Sequence, residues 1–172
     1  GRLAGIVLTH GHEDHIGAIP YLAADLKAPL YATPFTAGLI AEKLEEEGLS
    51  GQVKLHIVER GGTVDLQPFT VRFVPLAHSI PEGNGLLIES PHGRVFHTGD
   101  WKIDETPVLG EPSSHDALEQ VGEKGILALV CDSTNVFQNE PSGSEAGVHE
   151  GLPREVEKAR GRVVVTTFAS NA

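Results

Sequence analysis

Three features of the sequence predict a layered α/β fold. Short apolar runs bounded by turn residues recur at 5–9, 30–33, 52–58, 70–76, 85–90, 94–98, 126–132 and 162–168, as buried strands require. Apolar residues at helical spacing separate some of these runs, at 16–26, 34–47 and 152–159. Two strands are joined directly through Pro91-His92-Gly93, so the chain does not alternate strictly between strand and helix, and the pattern fits layers rather than a barrel.

Each element has a local reason. GIVLT (5–9) is a short apolar run that feeds a polar loop, HGHEDH. Ile16, Ile19, Leu22, Ala23 and Leu26 share a helical face, with Pro20 restricting the first turn. LYAT (30–33) reads as a strand, and Pro34 opens a helix that Gly48 ends. QVKLHIV and TVRFVPL are strands separated by a turn at Gly61 and Gly62. GLLIES and RVFHT form a hairpin, and ILALVCD (126–132) reads as a buried strand after a short helix within 103–124. Residues 135–150 read as a polar connection, followed by a helix and a last strand, RVVVTTF. The expected division is a core at 1–134 and a connection at 135–172 leading into a further domain. Both ends read as unfinished, so a fragment of a longer protein is expected.

Composition narrows the class. With 172 residues and 40% apolar content the chain can bury one sizeable core. No apolar run is long enough to span a bilayer, and a single cysteine, Cys131, excludes an internal disulfide and favours the cytoplasm. The 13 basic and 24 acidic residues give a net charge of −11, which counts against a nucleic-acid partner. Bound divalent cations would offset part of that charge.

The strongest chemical signal is His10-Gly11-His12-Glu13-Asp14-His15 directly after a strand. Three imidazoles and a carboxylate offer nitrogen and oxygen ligands suited to zinc, or to manganese at a more oxygen-rich site. In an extended loop residues i and i+2 point the same way, so His10 and His12 can grip one ion. Asp14 and His15, turning into a helix, reach a second. Gly11 allows a tight bend between the first two ligands.

HxHxDH after a short strand resembles the signature of the metallo-β-lactamase superfamily. That resemblance implies an αββα layered sandwich, incomplete here at both ends, with further ligands on loops after later strands. By order and local sequence, His78 in PLAHSIPE and Asp100 in HTGDWK match the family's lone histidine and its bridging aspartate. His97, near the strand end, is expected to support the site from behind. His56, His92, His115 and His149 lack metal-type partners in sequence and are assigned surface or structural roles.

LTHGHEDHIGAIPYL, AHSIPE, GRVFHTGDWKID, LALVCDSTN and VVTTFASN resemble, in order, segments of the ribonuclease J family and span nearly the whole chain. The resemblance implies a two-metal ribonuclease acting on RNA, 5′-to-3′ exonuclease and endonuclease, in a homo-oligomer. Zinc is the expected ion, with manganese and magnesium as alternatives. It also implies that Asp132 matches the acid opening the β-CASP motif set, and that TTFASN enters the β-CASP domain. The family's final metal histidine has no counterpart in the sequence, so the first ion is expected to bind better than the second. Asp100 is expected to span both ions and, with Asp14, to serve catalysis; Asp14 is either a ligand or the base that orients the attacking water. Two rivals stand beside this reading: a small-substrate hydrolase of the same fold acting on thioesters or lactams, and a non-catalytic scaffold subunit.

Overall fold

The computed structural model describes residues 3–167. Strand β1 (Ile6–Val7) leads through the histidine loop into α1 (Glu13–Ile16) and α2 (Ile19–Leu26). The single helix expected at 16–26 is thus two helices, and Pro20 sits in the first turn of the second, where its missing N–H costs nothing. Then follow β2 (Leu30–Ala32), α3 (Pro34–Glu46) and β3 (Leu55–Ile57). Gly48 closes α3 with φ 69°.

The three strands run parallel in the order β1-β2-β3. Leu30 and Ala32 face α2 and α3, and with Ile16, Ile19, Ile40 and Leu44 they form the first core cluster. Complete burial of Ile16, Leu30 and Ile40 contributes roughly 1.5–3 kcal/mol each.

A second sheet holds β4 (Thr63–Leu66), β5 (Phe69–Pro75), β6 (Asn84–Ser90), β7 (Gly93–His97) and β8 (Ala128–Val130) in chain order. The strand β4 was not expected. Only Val64 of its four residues is buried, so its sequence alternates weakly and gains definition only from antiparallel pairing with β5. In the hairpin Ser90 pairs with Gly93, leaving two residues in the loop, and Gly93 holds φ 136°.

Tyr31, Val58, Val64, Val71, Phe73 and Leu86 pack between the two sheets. Val74, Leu76, Leu87, Phe96 and Val121 join the outer face of the second sheet to α4 (His115–Glu123). Three apolar layers between four structural layers make the αββα sandwich expected from the resemblance.

Three expectations are corrected. The strand at 126–132 is not buried: β8 pairs with β7, but Leu127, Leu129 and Val130 are exposed because no described element packs over them. The run at 162–167 forms no strand, and Val164 is 88% exposed; a β-branched run becomes a strand only against a partner edge. The polar connection is also shorter, since α5 spans Glu145–Lys158 and begins at a Ser144 cap that accepts the Ala146 N–H. Phe168 to Asn171, within TTFASN, lie outside the described residues.

Candidate metal centre

The histidine loop leaves the finishing end of β1. Leu8 N–H still donates to Tyr31 O, and the chain then turns with His10 fully buried. His12 caps α1, Asp14 lies in its first turn and His15 in its last, while buried Ile16 anchors the short helix in the core. Gly11 has no positive φ; a Cβ there would lie 2.6 Å from Leu39 Cδ1, so close packing against α3 rather than a bend is what a side chain would disturb, and Leu39 would have to shift.

The other two loops are tied to each other. His78 follows β5 and Asp100 follows β7. Lys102 N–H donates to Ala77 O at 2.9 Å, and Ser113 Oγ accepts the Ala77 N–H and donates to Lys102 O. Gly99 holds φ 61°, and a Cβ on it would lie 2.7 Å from Asn84 O. His97 Nδ1 accepts the Gly99 N–H at 2.9 Å, so it braces the turn that carries Asp100.

These loops bring together five of the six predicted ligands. Ligand atoms of His10, His12 and His78 converge within 4.8 Å, and so do those of His10, His15 and Asp100. Asp100 Oδ2 lies 3.3 Å from His15 Nε2, 3.9 Å from His78 Nε2 and 4.0 Å from His10 Nε2. Asp14 is the exception. Its side chain is 78% exposed and reaches the cluster only through His15, 3.7 Å from Nε2.

The electrostatics suit a cation. Burial, reinforced by His15, His78 and His12, lowers the His10 pKa to about 3. Burial and His12 also push His78 down against the opposing pull of Asp100. Both rings are therefore neutral at pH 7, with lone pairs available. His10 Nδ1 lies 3.0 Å from Thr9 Oγ1, whereas its Nε2 is buried without a hydrogen-bond partner. With Nδ1–H donating to Thr9, the orphaned Nε2 presents a lone pair to the cluster, the tautomer that a metal ligand needs. The donor set therefore fits divalent metal ions.

Asp132 stands apart from both triads. Its carboxylate accepts the Thr134 hydroxyl at 2.7 Å and N–H at 2.8 Å, and these bonds hold it below the usual carboxylate range, with a smaller contribution from His78. Its own N–H donates to Thr98 Oγ1, placing it one strand away from Asp100. His56, His92, His115 and His149 are exposed and belong to neither triad.

Sequence reasoning missed three supporting residues. Buried Asn84 donates from Nδ2 to both Thr9 O and Glu82 O, linking the chain before His10 to the loop after His78. Glu82, at φ 57°, accepts the Phe35 N–H at the start of α3. Thr9 orients His10. Only Glu82 carries a sequence signal, in the turn-forming Pro-Glu-Gly; the others are recognisable only in three dimensions.

Comparison with known proteins agrees with this fold. Residues 1–120 match the family model described as a β-lactamase superfamily domain. Curated proteins named ribonuclease J match over 99% of the chain: 45% identity in Sinorhizobium meliloti, 45% in Corynebacterium glutamicum and 40% in Thermus thermophilus. The chain spans 30%, 24% and 31% of those relatives' lengths. Among solved structures, a protein of unknown function from Enterococcus faecalis superposes with a TM-score of 0.66 at 19% identity, covering 89% of this chain and 39% of that one. That likeness concerns the fold. With the superfamily domain matched over most of its length and ribonuclease J sequences over nearly all of it, the chain belongs to the β-lactamase superfamily and is a homologue of the ribonucleases J.

Proposed function

We propose that the chain is the metal-dependent core of a ribonuclease that hydrolyses RNA phosphodiester bonds. The observation that carries this is the convergence of two ligand triads on the fully buried His10, in a chain alike over 99% of its length to proteins named ribonuclease J. His10, His12 and His78 would hold one divalent ion, and Asp14 and His15 the second, with Asp100 shared between them. Zinc suits the imidazole-rich first set; manganese or magnesium would suit the more oxygen-rich second. When bound, such a pair supplies Lewis acidity toward phosphate oxygens and lowers the pKa of water towards ~7.

The chain's own residues orient and protect this chemistry. Thr9 fixes the His10 ring, His97 and Gly99 set the direction of Asp100, and Asp100 Oδ2 faces three imidazoles at 4.0 Å or less. Asp14, exposed at the rim, either turns inward as a ligand or takes a proton from the attacking water. Asp132, apart from both triads, would match the acid that opens the β-CASP motif set. Residues 1–134 would form the core and 135–172 the connection to a β-CASP domain. The whole protein would act as a 5′-to-3′ exonuclease and endonuclease, as a cytoplasmic homo-oligomer. No described helix is long and apolar enough to cross a membrane.

The net charge of −11 favours the small-substrate reading, so the test includes both substrates. His12→Ala and Asp14→Ala in the full-length protein should abolish cleavage of 5′-monophosphorylated RNA while circular dichroism stays unchanged. Near-normal RNA cleavage by either variant refutes its assignment. Turnover of a lactam or thioester, without RNA cleavage by the unaltered protein, would replace the reading.

A further inference from the structure

A second feature of the molecule points to nucleotide chemistry, at the opposite end of the parallel sheet from the histidine cluster. The metal ligands follow the finishing end of β1, whereas Pro29 and Lys54 stand at the starting ends of β2 and β3. There the loop between α2 and β2 and the segment before β3 enclose a recess of about 560 Å³, lined in part by Lys27, Pro29, Tyr31, Gln52, Lys54 and His56.

The charge of this recess is unlike that of the chain. The protein carries 24 acidic and 13 basic residues, yet no carboxylate lines the recess. Lys43, Lys102 and Lys158 each pair with a carboxylate, whereas Lys27 and Lys54 have no ion-pair partner among the described residues. Lys27 is held at φ 50°, a left-handed conformation in which glycine would fit more easily, and this places it on the rim.

The ring geometry supplies a stacking platform. Tyr31 and His56 are directly opposite on neighbouring strands, with centroids 4.9 Å apart and planes 10° from parallel. This is the inter-strand spacing, so the rings form a ladder across the sheet. Tyr31 also lies against Gly5, where a Cβ would approach its ring to 2.8 Å. β3 is the last strand of its sheet among the described residues, and His56 is exposed. A flat π-system can therefore continue the ladder on His56, in a recess that Lys27 and Lys54 also line.

We propose that this recess binds a nucleotide unit of single-stranded RNA, with its base on the Tyr31–His56 stack and its phosphate between Lys27 and Lys54. Stacking platforms flanked by cations are how single strands are held without sequence preference. The site would anchor substrate away from the metal centre. It rests on the ribonuclease reading only for the identity of the strand.

The test uses the full-length protein with chelator present, so that binding is read apart from metal-dependent cleavage. The probe is a labelled oligouridylate of about ten nucleotides, followed by fluorescence anisotropy. Lys27→Glu with Lys54→Glu should weaken binding at least about tenfold and flatten the log affinity–log salt slope by roughly 0.7, the loss of one neutralised phosphate. His56→Ala should weaken binding, and His56→Phe should restore it, because the stack and not the imidazole is needed. Uridine monophosphate should compete, whereas inorganic phosphate at equal concentration should not. Unchanged affinity and slope in the double variant, equal competition by phosphate, or no effect of His56→Ala would each overturn the proposal. Binding that survives His12→Ala, while cleavage is lost, supports it. A failure of cleavage in every form would count against the ribonuclease reading and leave this binding result standing.

Discussion

Nδ1 of His12 and Nε2 of His78 lie 3.0 Å apart across 66 positions of sequence. At this distance one nitrogen donates an N–H to the lone pair of the other, and a divalent ion that displaces this proton would take both nitrogens. The close approach therefore links the loop after β1 to the loop after β5 at the point where the first ion is proposed to bind.

His78→Ala should reduce affinity for the first equivalent of zinc by more than about 100-fold, exceeding the 10–100-fold typical of losing an outer partner. The fold should persist, since the ring is only part-buried. A chelator-competition titration measures the change, and an unaltered first affinity would remove His78 from the centre.

The two ions should bind unequally. The first set is already converged, whereas Asp14 is 78% exposed and must turn inward to join the second. Ordering that side chain costs roughly 0.5–1.5 kcal/mol. Asp14→Asn should weaken the second equivalent by roughly tenfold or more and spare the first. Calorimetric titration showing two equally tight sites, or a loss confined to the first, would contradict this assignment.

Gly99→Ala tests the turn beneath Asp100. The new Cβ would have to sit at φ 61° and 2.7 Å from Asn84 O, so the turn must shift. We expect a stability loss of about 1–3 kcal/mol in denaturant unfolding, together with weaker binding of the second ion. Wild-type stability with unchanged metal affinity would show that the turn tolerates a side chain.

The Asp104 carboxylate tests the clamp between α5 and the strip after Asp100. It accepts the Glu145 N–H at 3.0 Å, the Lys102 ammonium at 2.9 Å and the Thr106 N–H at 3.0 Å, bonds that hold it far below the usual carboxylate range. A depressed folded-state pKa stabilises the fold above the ordinary value of 3.8, and this contribution fades as pH falls below it. Asp104→Asn should therefore lower the thermal midpoint at pH 7, and the gap to wild type should narrow below about pH 4. A gap that stays constant across that range would remove the carboxylate's charge as the cause.

The parts of the fold legible in sequence were those with local causes. Pro34 and Gly48 bound α3, apolar residues at 71, 73 and 74 mark β5, the continuous apolar run Leu86–Ile88 marks β6, and the Gly93 turn closes the hairpin. The four-residue β4 was not legible because one buried side chain, Val64, is too weak a pattern without its partner strand. The exposure of β8 was equally hidden, since ILALVCD has the composition of a buried strand and only the absence of a covering layer among the described residues exposes it.

The sequence by itself determined the ligand types, their order and the short-range geometry of His10, His12 and His15, because neighbouring residues on one loop share a backbone path. Tertiary structure alone decided that His10 belongs to both triads, that Asp14 stands at the rim and that Thr9, Glu82 and Asn84 hold the loops together. Those relationships depend on how two sheets pack across a shared core. Distance between loops on different strands follows from that packing and is not encoded in any single stretch of residues.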